Sequence, residues 1–179
     1  MPDTALLVID IQNDYFPGGA MELEGAEAAG AKALEAIRRF RERKLPVIHV
    51  RHLSVRPGAT FFVPGTRGAE IHSLVQPLAG EAVVEKNFPN SFRGTALEKL
   101  LKDAGIQNLV VAGMMTHMCV DASVRQAADL GYKVTLIGDA CATRAQSFEG
   151  ESVPARHVHA AFLAALNGFY AKVIHSHDL

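Results

Sequence analysis

The chain alternates between two hydrophobic rhythms from one end to the other. A short apolar run, Ala5-Leu6-Leu7-Val8-Ile9, is closed by Asp10. A run without polar alternation marks a strand covered on both faces. Over 27–43 the period changes, and Ala29, Ala33, Ile37 and Phe40 fall on one side of a helix. Pro46-Val47-Ile48-His49-Val50 is a second strand, and Ala82-Val83-Val84-Glu85 a third that leads into Lys86. A helix over 95–104 is closed by Gly105 at a C-cap position. Then come a strand over 108–113 and a helix over 117–130 with Val120, Val124, Ala127 and Ala128 inward. A strand over 132–137 stops at Gly138-Asp139, a helix over 154–166 buries Val158, Ala161, Phe162 and Ala165, and a final strand covers 169–175. Between 52 and 80 the periodicity vanishes, and Pro57-Gly58, Pro64-Gly65, Gly68, Pro77 and Gly80 punctuate an irregular connection. A connection of that length in a compact domain is usually functional.

Repeated strand-helix-strand units predict an α/β fold: one three-layer domain over 1–179, a parallel sheet with helices on both faces. The order of the strands is not readable from the pattern. In such sheets ligands bind beyond the carboxyl ends of the strands, so residues that close an apolar run are the first candidates for chemistry.

Composition narrows the partners. With 179 residues, a net charge of −1 and acidic and basic side chains well mixed, nothing builds the positive field that nucleic acid requires. The basic cluster Arg38-Arg39-Phe40-Arg41-Glu42-Arg43-Lys44 ends a helical pattern, where cations suit the helix dipole. No run approaches the roughly 20 apolar residues of a membrane span, and the first strand lacks a basic leader and a cleavage site. A cytoplasmic protein with a small-molecule substrate is expected. Two cysteines, Cys119 and Cys141, make neither a disulfide framework nor a zinc cluster by spacing, which fits a reducing compartment.

Three reactive side chains follow apolar strands. Asp10 ends the first, Lys86 ends the third, and Cys119 opens the helix after the fourth. Each alone also fits a plain role: a turn residue, a solvated strand end, a small buried hydrophobe. In a parallel sheet, however, all three share one edge. In Gly113-Met114-Met115-Thr116-His117-Met118-Cys119, Thr116 is placed as an N-cap, leaving Cys119 in the first helical turn. Free amides and the positive dipole end there favour a thiolate and can hold an oxyanion. Around this edge Tyr15, Phe16, Phe61, Phe92 and His117, with Phe62 and Phe88, are the candidate pocket residues. Cys141 reads as a small packed residue, and Arg67, Glu70 and His72 as structural hydrogen-bonding residues of the long connection.

The chain resembles the isochorismatase-like cysteine hydrolases, which include nicotinamidases and N-carbamoylsarcosine amidohydrolases. The resemblance runs through Val8-Ile9-Asp10-Ile11-Gln12-Asn13-Asp14-Tyr15-Phe16, Pro64 to His72, Val84-Glu85-Lys86, Asn90-Ser91-Phe92, Gly113 to Val120, and Asp139 to Thr143. It implies a six-stranded parallel sheet flanked by helices and an Asp-Lys-Cys triad at Asp10, Lys86 and Cys119. It further implies a cis peptide joining Met114 to Met115, an oxyanion hole made by the amides of Met115 and Cys119, and a homodimer or homotetramer. In that scheme Asp10 is the general base and Lys86 holds the pair by its charge.

Nicotinamidases hold a metal through an Asp-x-His pair and a further histidine. The matching positions here are His52, Ser54 and Phe62, one ligand of three, so no metal and no cofactor are expected and a pyridine amide is disfavoured. His49 and His52 remain as ligand candidates, but strand alternation sends them to opposite faces. The expectation is a metal-independent cysteine hydrolase cleaving a C–N bond of a small amide, ureide or imide. Its alternatives are a thiol redox protein with Cys141 as resolver, and an isochorismatase-type ether hydrolase.

Overall fold

The computed structural model describes residues 3–179. Strand β1 (Thr4–Ile9) is buried at every position, as its unbroken apolar run requires. It is followed by α1 (Ala26–Glu42), β2 (Val47–His52) and, after the long connection, β3 (Ala82–Lys86). Then come α2 (Leu97–Asp103), β4 (Asn108–Met114), α3 (Asp121–Asp129) and β5 (Lys133–Ala142). A short hairpin of β6 (Gln146–Phe148) and β7 (Glu151–Val153), helix α4 (Ala155–Leu166) and β8 (Lys172–Ile174) complete the chain.

The main sheet has six strands in the order β3-β2-β1-β4-β5-β8, and every pair in it is parallel. The chain steps outward from β1 to β2 and β3, then returns to place β4 on the other side of β1. The crevice at the carboxyl ends of β1 and β4 is therefore the topological switch point, where such sheets bind ligands. Alternation along β1 divides two cores. Leu6 and Val8 pack with Ala29, Ala33, Ile37 and Phe40 of α1 on one face. Ala5, Leu7 and Ile9 pack with Leu97 and Leu101 of α2 and Val124 and Ala127 of α3 on the other. No described helix is long and apolar enough to cross a membrane.

Several expectations need correction. Strand β5 does not stop at Gly138-Asp139 but runs on to Ala142, pairing Cys141 with Gly113 after a bulge in the register. Gly138 is in the strand because a side chain would crowd Leu163 of α4, 3.0 Å from its Cβ position. Asp139 accepts from the amide and hydroxyl of Ser176. In α4 the buried positions are Ala155, Val158 and Leu166, whereas Ala161 and Ala165 are exposed. The hairpin over 146–153 is not visible as an alternating pattern.

The long connection is held by polar side chains, Asp14 buried among them, rather than by an apolar rhythm. Asp14 accepts from the amides of Phe62 (2.6 Å) and Ala20 (3.2 Å), and Gly68 leaves room for its carboxylate, since a Cβ there would lie 2.1 Å from Oδ1. Asn13 donates to the Arg67 carbonyl, its amide donates to Glu70, and the His72 amide donates to Ile11. At the far end of the connection, Glu81 binds Arg41 of α1 (2.7 and 2.8 Å) and His49 of β2 (3.1 Å). A carboxylate only accepts, so His49 Nε2 carries the proton.

Burial would raise the Glu81 carboxyl, but Arg41, the Leu78 amide and His49 outweigh it and hold it at about 2. A depressed carboxylate stabilises the fold above its unfolded value, and that stabilisation is lost as pH falls through the folded one. Glu81→Gln should cost about 1–2 kcal/mol at neutral pH, a deficit that shrinks steadily between pH 4.5 and about 2. Urea denaturation of both proteins across that range measures it.

Candidate active site

The carboxyl ends of three adjacent strands, β1, β2 and β3, meet the turn that follows β4. Asp10 sits just past β1 in a left-handed conformation (φ 50°), which aspartate tolerates better than branched residues. Its carboxylate is fully buried, as is the Lys86 side chain at the end of β3, and Lys86 Nζ lies 2.8 Å from Asp10 Oδ2. The ammonium also donates to the Pro89 carbonyl (3.0 Å). Asp10 Oδ1 has no hydrogen-bond donor among the described residues. Cys119 is 3% exposed, and its sulfur and an Asp10 carboxylate oxygen lie within 4.8 Å of one another.

The nucleophile turn is a π-helical segment, Thr116–Val120, that runs directly into α3. Such segments recur at functional sites. The amides of Met118 and Val120 both go to the Met115 carbonyl (3.1 and 3.2 Å). The peptide between Met114 and Met115 is cis. Gly113 is required beside it: at φ 141° its Cβ position would lie 2.1 Å from the Ile9 carbonyl of β1. The expected N-cap at Thr116 is corrected: Met115 occupies the cap position. The Thr116 hydroxyl instead donates to the Ala142 carbonyl (3.2 Å) and pairs with His159 Nδ1 of α4 (2.9 Å).

A second correction concerns charge. A thiolate was expected from the helix end, yet burial and the neighbouring Asp10 carboxylate push the Cys119 thiol far up, with Lys86 only partly offsetting them. The balance favours the neutral thiol over the thiolate. Asp10 behaves oppositely. Burial raises it, but the Lys86 charge and His52 more than compensate and hold it below the ordinary carboxylate range. Burial would lower Lys86, but Asp10 and then Cys119 raise it. The site at rest is thus an ion pair beside a thiol.

His52 extends β2 beyond its expected end at Val50 and meets the ion pair. Its Nδ1 lies 3.5 Å from Lys86 Nζ, 3.7 Å from Asp10 Oδ2 and 3.8 Å from Cys119 Sγ. His49 does not join it; its ring is engaged with Glu81. Ser54 and Phe62, the other positions matching the nicotinamidase metal set, are adjacent through a Ser54 amide to Phe62 carbonyl bond (2.8 Å). The donor set that does converge is Asp10, His52 and Cys119, with ligand atoms within 4.8 Å of one another. Zinc accepts such oxygen, nitrogen and sulfur donors. Here, however, the Lys86 ammonium already supplies the positive charge among them, and a dication would have to displace it.

The expected pocket residues separate into two groups. Tyr15 is buried, its ring 4.6 Å from Phe62 and 6.2 Å from Phe61, and Phe62 in turn meets His52 at 5.8 Å. Burial, then the nearby Cys119 and Asp10, raise the Tyr15 phenol well above its ordinary value. His117 lies on the nucleophile turn itself, with Nδ1 2.5 Å from the Thr143 hydroxyl. Phe16 and Phe92, by contrast, are brought elsewhere. Phe16 stacks on His72 at 3.7 Å and presses against Gly30 of α1. Phe92 packs on Tyr132, 6.2 Å away at the amino end of β5, opposite to the site. Phe88 is exposed under Arg93.

Residues 4–178 match the isochorismatase domain model. The chain belongs to the isochorismatase family of hydrolases. It is 52% identical over 170 residues to YddQ of Bacillus subtilis (strain 168), an uncharacterised isochorismatase-family protein, covering 95% of this chain and 94% of that one. A solved isochorismatase-type structure from Oleispira antarctica, 49% identical, superposes with a TM-score of 0.96 over 99% of this chain and 95% of its own. The nicotinamidase of Escherichia coli (strain K12) is 29% identical over 178 residues, 79% of this chain and 84% of that one.

The ion pair is also a stability determinant. Lys86→Met should destabilise the protein by about 3–5 kcal/mol, because it leaves a buried carboxylate unpaired. Asp10→Asn added to Lys86→Met should recover a substantial part. Equilibrium urea unfolding of the two single variants and the double variant tests the coupling.

Proposed function

We propose that this isochorismatase-family hydrolase cleaves a C–N bond of a small amide, ureide or imide through a thioester on Cys119. The observation that carries the reading is a buried thiol within 4.8 Å of a carboxylate that is itself paired with an ammonium at 2.8 Å. Asp10 accepts the thiol proton, and Lys86 keeps the cluster's total charge near zero as the proton moves. Sulfur attacks the carbonyl carbon, and the amides of Met115 and Cys119 receive the oxygen's developing charge. The leaving amine takes the proton back from Asp10, and water then cleaves the thioester by the reverse sequence. Tyr15, Phe61 and His117 are the wall residues of the substrate in this scheme, which calls for no metal or cofactor.

The kinship with a nicotinamidase supports amide chemistry, while His52, Ser54 and Phe62 argue against a metal-bound pyridine amide. A thiol redox role with Cys141 as resolver fits less well. The Cys141 thiol is wholly buried, pushed up by that burial to about 12, and donates to the Ile137 carbonyl (3.4 Å).

A panel of small amides and ureides, read by ammonia release, is the test. At least one compound should turn over, and Cys119→Ala should abolish its turnover while leaving the melting temperature within a few degrees. Amidase activity retained by Cys119→Ala sinks the covalent scheme.

A further inference from the structure

His52 occupies a position that the mechanism above leaves without a task. It pairs with Lys86 in the β2–β3 register, which brings its ring to the same sheet edge as the ion pair. Its side chain is 13% exposed where Asp10 and Lys86 are wholly buried. A single ring nitrogen, Nδ1, faces all three polar partners: Lys86 Nζ from β3, Asp10 Oδ2 from β1 and Cys119 Sγ from the nucleophile turn. Tyr15 is the other ionisable group near this cluster, and the Phe62 ring lies beside the imidazole.

The backbone at His52 is braced by a dedicated residue. Gln12, fully buried, accepts from the His52 amide (2.7 Å) and donates to the His52 carbonyl (2.9 Å), with its remaining amide proton on Ala69 (2.9 Å). Two of these three bonds hold the main chain at His52 to the sheet edge. Next to it, the Leu53 amide donates to the Lys86 carbonyl (2.9 Å). The main chain that carries the imidazole is therefore tied to β3 and to the long connection.

We propose that His52 is a fourth catalytic residue, whose Nδ1 passes the Cys119 proton between sulfur and Asp10. This rests on the covalent reading above and refines its proton path. In acylation the S–H bond breaks, its proton joins Nδ1, and the sulfur electron pair forms the bond to the carbonyl carbon as the C=O pair moves onto oxygen. Nδ1 hands the proton to Asp10 Oδ2. On collapse of the tetrahedral species the C–N bond breaks with its electron pair on nitrogen, and the proton returns by the same route to the leaving amine. In deacylation water gives a proton to Nδ1 as its oxygen attacks the thioester carbon and the C=O pair moves onto oxygen. That pair then re-forms C=O, the C–S bond breaks with its pair on sulfur, and Nδ1 returns the proton to sulfur as the carboxylic acid leaves. The physical reason is position: Nδ1 lies 3.8 Å from the sulfur and 3.7 Å from Asp10 Oδ2, and an imidazole nitrogen can both take up and give up a proton.

The test needs no identified substrate. Alkylation of Cys119 by iodoacetamide, followed by peptide mass to separate it from Cys141, reports how readily the thiol gives up its proton. His52→Ala should slow alkylation at neutral pH roughly a hundredfold and move its pH limb upward, and added imidazole should restore part of the rate. His52→Gln, a polar side chain that cannot carry a proton, should show the same loss and serves if the alanine variant folds poorly. Alkylation rates and pH profile within twofold of wild type overturn the proposal. So does a loss that imidazole does not relieve and that leaves the profile's shape unchanged. Failure here with an inactive Cys119→Ala removes only His52's role, whereas an active Cys119→Ala removes the covalent reading itself.

Discussion

The buried contact between Asp10 and Lys86 is the constraint on which the site depends. Neither charge can be carried alone in a position that water does not reach, since the effective penalty for each buried ion is several kcal/mol. At 2.8 Å they form one neutral object, and the strands that carry them must finish at the same level for that to happen. The parallel order places β2 between β1 and β3, so the two ends bridged by this contact are not neighbours in the sheet. The strand between them contributes His52 at the same level. The thiol is added from the other side of the switch point, on the turn after β4. The same arrangement favours its neutral form, because a carboxylate already compensated by an ammonium leaves no net positive charge to hold a thiolate.

The segments around this object are ordered by polar side chains whose hydrogen-bonding capacity is spent inside the protein. Gln12 fixes the end of β2, and Asp14 fixes the loop bearing Phe61 and Phe62. Ser123 of α3 meets Ser91 (2.7 Å) and the Pro89 carbonyl (3.4 Å), the carbonyl that also receives Lys86. The helix extending from the nucleophile turn thereby grips the loop that positions the ammonium. Buried polar contacts of this kind stabilise modestly when satisfied and cost heavily when one partner is lost, which is how they select one arrangement of an irregular chain.

Much of this was legible in the sequence, for identifiable reasons. Ala5 to Ile9 has no polar alternation because β1 is the inner strand of a sheet covered on both faces, and Ala29, Ala33, Ile37 and Phe40 repeat at helical spacing because one face of α1 is buried. Asp10, Lys86 and Cys119 stood out because each interrupts or follows such a pattern. His52 did not, because the second strand was ended at Val50 whereas it continues through Arg51 and His52. Gly138 read as a stop, although it is a gap for Leu163 of α4 inside a longer strand. Phe16 and Phe92 carry no local sign of which side of the sheet they reach. The helix-end argument for a thiolate at Cys119 is local, while the Asp10 charge that opposes it comes from more than a hundred positions away in the chain.

The most direct test of the account is to trap the covalent intermediate. Acid quenching during turnover of a small amide or ureide, followed by mass spectrometry of the peptide containing Cys119, should reveal that peptide heavier by the acyl group, in an adduct that hydroxylamine removes. Turnover at an undiminished rate with the Cys119 peptide unmodified at every quench time, and with the same rate in Cys119→Ala, would contradict it.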